Sequence, residues 1–102
     1  MIEKVLSKND VPIRLTDERW THIVEEHCEL AGMQLEVLET VANPSQILGG
    51  GVGEFLAVQE IHAGKHLVVV VYREIENDGF IITAFITSKT KSLNRRNQLW
   101  PK

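Results

Sequence analysis

A chain of 102 residues makes one domain with a single core and is too short for two. Its composition, 43% hydrophobic and 25% charged without repeat or low-complexity run, is that of an ordinary folded protein. A net charge of −3 excludes a protein that holds nucleic acid mainly by its overall charge, although Lys89, Lys91, Arg95, Arg96 and Lys102 form a local basic cluster.

The longest apolar run, Leu67–Tyr72, is strand-sized and cannot span a membrane as a helix. Glu3, Lys4 and Lys8 stand where a signal peptide needs an apolar core, so export is not expected. A single cysteine, Cys28, excludes an internal disulfide and fits a reducing cytoplasm.

The first residues are an apolar-mixed piece that becomes extended around Pro12, which disfavours helix in the residues before it. Thr16 then reads as an N-cap, with Asp17 and Glu18 in the first turn where the helix dipole favours acids. Trp20, Ile23, Val24 and Ala31 continue a helical stripe to about Leu30, and by spacing His27 belongs to that stripe. Gly32 ends this helix. A second runs from Met33 or Gln34 to about Ala42, with Leu35, Leu38 and Val41 or Ala42 inward, and Asn43-Pro44 stops it.

Strands follow. Ser45–Gly50 reads as a short one that ends in three glycines, a hairpin turn rather than a phosphate loop, because no Lys-Ser/Thr or helix follows. Glu54–Ile61 and Leu67–Glu74 are strands on either side of His62–His66. Placing His62 opposite His66 aligns Phe55 with Arg73 and Leu56 with Tyr72.

The last strand, Gly79–Ser88, alternates Phe80, Ile82, Ala84 and Ile86 on one face with Ile81, Thr83, Phe85 and Thr87 on the other. A two-residue turn before it keeps Tyr72 on the face of Thr83 and puts Arg73 on the other. A bulge or longer turn inverts that assignment. The expected architecture is α+β: two N-terminal helices, a four-stranded antiparallel β-meander, and a short helical or extended tail that lays Trp100 on the sheet.

His27 is the leading candidate for chemistry, either as a core-edge histidine or as a general acid or base at the helix–sheet junction. His22 lies about 140° away round the helix and pairs more naturally with Glu26 at the surface. His62 and His66 flank a turn, and two imidazoles without a carboxylate or thiol make a poor zinc site. Cys28 reads as a structural thiol. No metal or cofactor is expected. Arg73, Thr83, Thr87 and Arg95 supply the cations and hydroxyls that a phosphodiester transition state needs, with His27 available to deprotonate a 2′-hydroxyl. Equally, Arg73 can form a surface salt bridge and the threonines can serve as strand formers.

Residues Leu15–His27, reading LTDERWTHIVEEH, resemble the opening helix of phage-associated barnase–EndoU–colicin–RelE-like (BECR-fold) nuclease domains. Asn43-Pro44, Val71-Tyr72-Arg73 and Thr83-Ala84-Phe85 add to the resemblance, which spans most of residues 12–88. It implies a metal-independent ribonuclease, often a toxin, with His27, Arg73, Thr83 and Thr87 around the active site. Lys89, Lys91, Arg95 and Arg96 are the candidate nucleic-acid contacts. Its implied partners are RNA and a cognate antitoxin. The alternative, from a different class, is a catalytically inactive interaction domain that forms a homo-oligomer through its second apolar face.

Overall fold

Pro12 opens a strand whose alternate side chains Ile13 and Leu15 are fully buried, and that strand leads straight into a helix capped by Thr16. The computed structural model describes residues 2–88 and 91–101. In chain order the strands are β1 (Ile2–Leu6), β2 (Pro12–Thr16), β3 (Gln46–Gly49), β4 (Glu54–Ile61), β5 (His66–Ile75), β6 (Asp78–Thr87) and β7 (Gln98–Trp100). The helices are α1 (Asp17–Glu26), α2 (Gln34–Ala42) and α3 (Lys91–Asn94), with a 3-10 turn at Cys28–Leu30.

The strands form one seven-stranded sheet in the order β1-β2-β6-β5-β4-β3-β7. All neighbours are antiparallel except β2 and β6, which are parallel. The expectation of two N-terminal helices followed by a four-stranded antiparallel meander is therefore corrected. A β1–β2 hairpin precedes the helices, β2 inserts beside β6, and the tail adds β7 to the far edge. The fold is α+β with a mixed sheet.

The Thr16 hydroxyl accepts from the Arg19 N–H at 3.1 Å, which satisfies one of the open donors of the first turn of α1. The helix stops at Glu26, earlier than its apolar stripe suggests, because His27 leaves helical geometry and forms the cap. In α2 the buried side chains are Val37, Leu38, Thr40 and Val41, whereas Leu35 is 78% exposed rather than inward.

The main core joins Ile23 of α1, Leu30, and Val37, Leu38 and Val41 of α2 to Val68, Val70, Tyr72, Ile81 and Ala84 of the sheet. A smaller cluster on the opposite face contains Leu48, Leu56, Val58 and Val69, with Leu93 of α3 packed on it.

Two contacts set the shape. The loop after β1 is pinned to β5 because the Ser7 hydroxyl and the Asn9 amide both donate to the Glu74 carboxylate. In the same loop, the Lys8 ammonium sits 5.0 Å from the ring centroid of Trp100 on β7. Since β1 and β7 belong to opposite edges, the sheet curls round α2 to bring them together.

Gly79 is the tightest point of the sheet. A Cβ there would lie 2.3 Å from the Arg73 carbonyl oxygen and 2.6 Å from Ile13 Cδ1, the place where β2, β6 and β5 meet. Gly79→Ala is expected to destabilise the chain by about 1–3 kcal/mol in urea unfolding, since neither backbone nor a buried Ile side chain can yield freely.

Tyr72, the chain's one tyrosine, is 1% exposed, and burial with Glu74 nearby pushes its pKa well above the ordinary value. Below the ordinary tyrosine range, near pH 10, both folded and unfolded phenols keep their protons and Tyr72 adds no pH dependence. Above it the unfolded phenol ionises first, so stability falls as pH rises. Alkaline titration should show no phenolate absorbance until the chain unfolds, with the two transitions coincident; a separate phenolate step in folded protein would refute this.

Candidate functional site

Alternation along β5 sends Val68, Val70 and Tyr72 toward the helices and Leu67, Val69, Val71 and Arg73 to the other face. Directly paired residues share a face, so the register builds rows across that side, which α3 covers in part through Leu93. One row is Glu54, Arg73, Phe80, Arg14 and Lys4, and the next holds Leu56, Val71 and Thr83. Val58, Val69 and Phe85 form a third, and Glu60, Leu67 and Thr87 a fourth.

An irregularity between Val71 and Tyr72 makes this arrangement. Val71 pairs with Thr83 but Tyr72 pairs with Ile81, leaving Ile82 as an extra residue in β6. The bulge puts Arg73, Phe80 and Thr83 on one face and Tyr72 on the other, which overturns the simple two-residue-turn assignment. The hairpin before it also differs. A turn through His62–Lys65 pairs Ile61 with His66, so Phe55 lies opposite Tyr72 and Leu56 opposite Val71.

At one end of the face, Arg14 and Arg73 flank Phe80, which is 37% exposed. Arg73 Nη2 donates to Glu54 Oε2 at 2.9 Å, and Arg14 Nη2 to Asp78 Oδ2 at 2.8 Å. The Nε atoms of both arginines are buried and have no hydrogen-bond partner among the described residues. Each arginine has five N–H donors, so one carboxylate leaves most of that capacity unspent. A shallow cavity of about 240 Å³ opens beside them, lined by Arg14, Thr16, Arg19, Phe80 and Ile81. A second, of about 410 Å³, shares Thr16 and Arg19 and continues along α1 past His22 and Glu26.

At the other end, the half-buried His27 caps α1, and its ring lies 6.1 Å from that of Phe85, tilted by 40°. Its Nδ1 is 3.8 Å from Glu29 Oε2. Thr83 and Thr87 stand on either side of Phe85 on the same face. Phe85 therefore has the Leu93 cluster on one side and His27 on the other.

The structure thus brings His27 to the strip that carries Thr83 and Thr87, but not to Arg73. From Val69, opposite Phe85, to Arg73 is four residues along β5, about 13 Å at 3.3 Å per residue. Arg95, Arg96 and Lys91 are exposed, and Arg96 Nη1 donates to the Gly49 carbonyl at 3.2 Å. Gly49 is on β3, three strands from β6, or about 14 Å at 4.8 Å per strand. Lys89 lies outside the described residues.

Two residues of the site escape sequence reading. Arg14 reaches it only through the parallel β2–β6 pairing, and Phe80 changes face only because of the bulge. Neither has a local signal. No group of three or more His, Cys, Asp and Glu side chains able to hold a metal occurs among the described residues. No described helix is long and apolar enough to cross a membrane, which says nothing about strands.

The Arg73–Glu54 pair is partly solvent-exposed, so it contributes little to stability. In a double-mutant cycle with Arg73→Ala and Glu54→Ala, urea unfolding should give a coupling of about 0–1 kcal/mol. A larger coupling would make the pair structural rather than a resting arrangement of the site.

Comparison with protein-family models, with curated proteins and with solved structures finds no match to this chain, so any functional reading rests on the geometry of this face and on the sequence resemblance.

Proposed function

We propose that this chain is a small cytoplasmic, metal-independent endoribonuclease of the RelE/barnase type, with RNA laid along the face of the sheet that carries Arg73, Phe85 and Thr87. The observation that carries the reading is the His27 ring against Phe85, between Thr83 and Thr87 on one face. His27 takes the proton of a 2′-hydroxyl, the freed oxygen attacks the adjacent phosphorus, and the 5′-oxygen leaves with a proton from solvent. Thr83 and Thr87 donate to the phosphate as charge builds on it. Arg73 and Arg14 hold a flanking phosphate about 13 Å away along the strand, while Phe80 offers a stacking surface for a base. The basic residues Lys89, Lys91, Arg95 and Arg96 add to backbone attraction. An antitoxin that covers this face would be the natural partner of such a toxin.

A second reading has its own support. Glu54 and Asp78 already neutralise the two arginines, and the whole chain is acidic. Both favour a non-catalytic domain that pairs with another protein or with its own copy.

One experiment separates them. Purified chain is incubated with total RNA and with tRNA in EDTA, beside His27→Ala and Glu54→Gln. The ribonuclease reading expects cleavage that survives chelation, falls about 10²-fold or more in His27→Ala, and RNA binding that tightens in Glu54→Gln as Arg73 is released. Absence of cleavage, or cleavage indifferent to His27, would sink it. A concentration-dependent dimer by light scattering, with no RNA cleavage, establishes the second reading instead.

A further inference from the structure

The tip of the β4–β5 hairpin carries two of the four histidines. His62 Nδ1 and His66 Nδ1 face each other at 3.1 Å, with the rings nearly perpendicular at 88°. The turn that achieves this is unusual. His62, Ala63 and Gly64 all have positive φ, at 53°, 56° and 83°, and only glycine adopts that region without cost. Two residues with a Cβ are therefore held in the left-handed region where glycine or asparagine would sit comfortably, and the result is convergence of two imidazole nitrogens. Strain held in a short turn is the kind of outlier that marks a ligand clamp.

The distance between the nitrogens also fits a chelate. At metal–nitrogen bonds of about 2.0–2.1 Å, nitrogens 3.1 Å apart subtend about 98° at the ion. That angle lies between the right angle of a tetragonal site and the tetrahedral value. His62 is exposed and His66 partly so, which lets solvent water fill the remaining positions, and Glu60 Oε2 lies over the turn, 3.6 Å from where a Cβ on Gly64 would sit. A carboxylate there favours a cation; the neighbouring Lys65, itself exposed, opposes it.

We propose that His62 and His66 form a two-imidazole site for a nitrogen-preferring divalent ion, Cu2+ ahead of Ni2+, with water completing the coordination. Two nitrogens without thiolate or an ordered third protein ligand do not make a structural zinc centre. Imidazole pairs with a near-right bite instead suit tetragonal ions, and the stability order among first-row divalent ions places copper first. Each ring must carry its proton on Nε2 when the ion binds, so the ion replaces the direct Nδ1···Nδ1 contact. The consequence is a clip at the turn end of the hairpin, tying the first residue of the turn to the first residue of β5.

The test uses tag-free full-length chain titrated with Cu2+ and, separately, Ni2+ by calorimetry, with electron paramagnetic resonance on the copper form. The expected result is saturable binding of one ion per chain and a spectrum that reports two imidazole nitrogens. His62→Ala and His66→Ala should each weaken it at least about tenfold, the lower bound that even an outer-shell change commonly produces. His22→Ala and His27→Ala should leave it unchanged. Both hairpin variants alter an exposed turn, and circular dichroism confirms that they fold. Weak or unsaturable binding, binding that survives either hairpin substitution, or a one-nitrogen spectrum would each overturn the proposal.

Discussion

One extra residue in β6 decides what this protein can present to its surroundings. With Ile82 accommodated as a bulge, Tyr72 enters the helix-covered core and Arg73 faces outward beside Phe80. In an unbroken ladder, the alternation would join Tyr72 to the face of Thr83 and turn Arg73 toward the other side. A buried, unpaired guanidinium would then cost far more than any ladder hydrogen bond returns. The bulge is thus the arrangement in which the Tyr72 ring packs against Phe55 and the Arg73 guanidinium reaches Glu54.

The same logic explains the parallel strand. Once β6 bends at its bulge, its first half needs a neighbour on the open side, and β2 supplies one through Ile13 and Arg14. Gly79 permits the approach because it has no side chain to place between Arg73 and Ile13. Beyond Arg14 the chain turns into α1, so the second half of β6 is bordered by helix rather than by strand. His27 reaches Phe85 because α1 ends there, where a regular strand would have continued past it.

Much of this was legible in the sequence, and the rest was not for identifiable reasons. Thr16 as a cap, the helix ending at Ala42, and the strand Glu54–Ile61 follow from local signals, and local signals suffice for elements whose determinants are neighbours in the chain. The β1–β2 hairpin was missed because the longer loop at residues 7–11 lacks a two-residue turn signal, and β7 because its three residues pair with β3, far back in the chain. The bulge left no mark on the composition of GFIITAFITS, where either alternation reads equally well. Of the candidate residues, His27, Thr83 and Thr87 gather on one strip, whereas Arg73 lies beyond Thr83, four residues along β5 from the Phe85 row that His27 reaches, and Arg96 is turned to the β3 edge. Spacing alone could not separate those cases, because the separation arises from the sheet.

That separation narrows what the face can engage. A ligand that touches only the His27 strip meets an imidazole and hydroxyls but no described arginine, and one that touches only Phe80 meets two guanidinium groups but no described base. A molecule that uses both ends must extend about 13 Å along the strands and carry negative charge at one end. Single sugars and amino acids are too short for this, whereas an extended polyanion or an acidic peptide segment is long enough. The paired carboxylates Glu54 and Asp78 then act as stand-ins for that charge: a phosphate or carboxylate that displaces them meets arginines already oriented and partly desolvated. Preorganisation of this sort lowers the cost of binding without requiring a basic protein overall, and it would reconcile a net acidic chain with the anion binding proposed for this face.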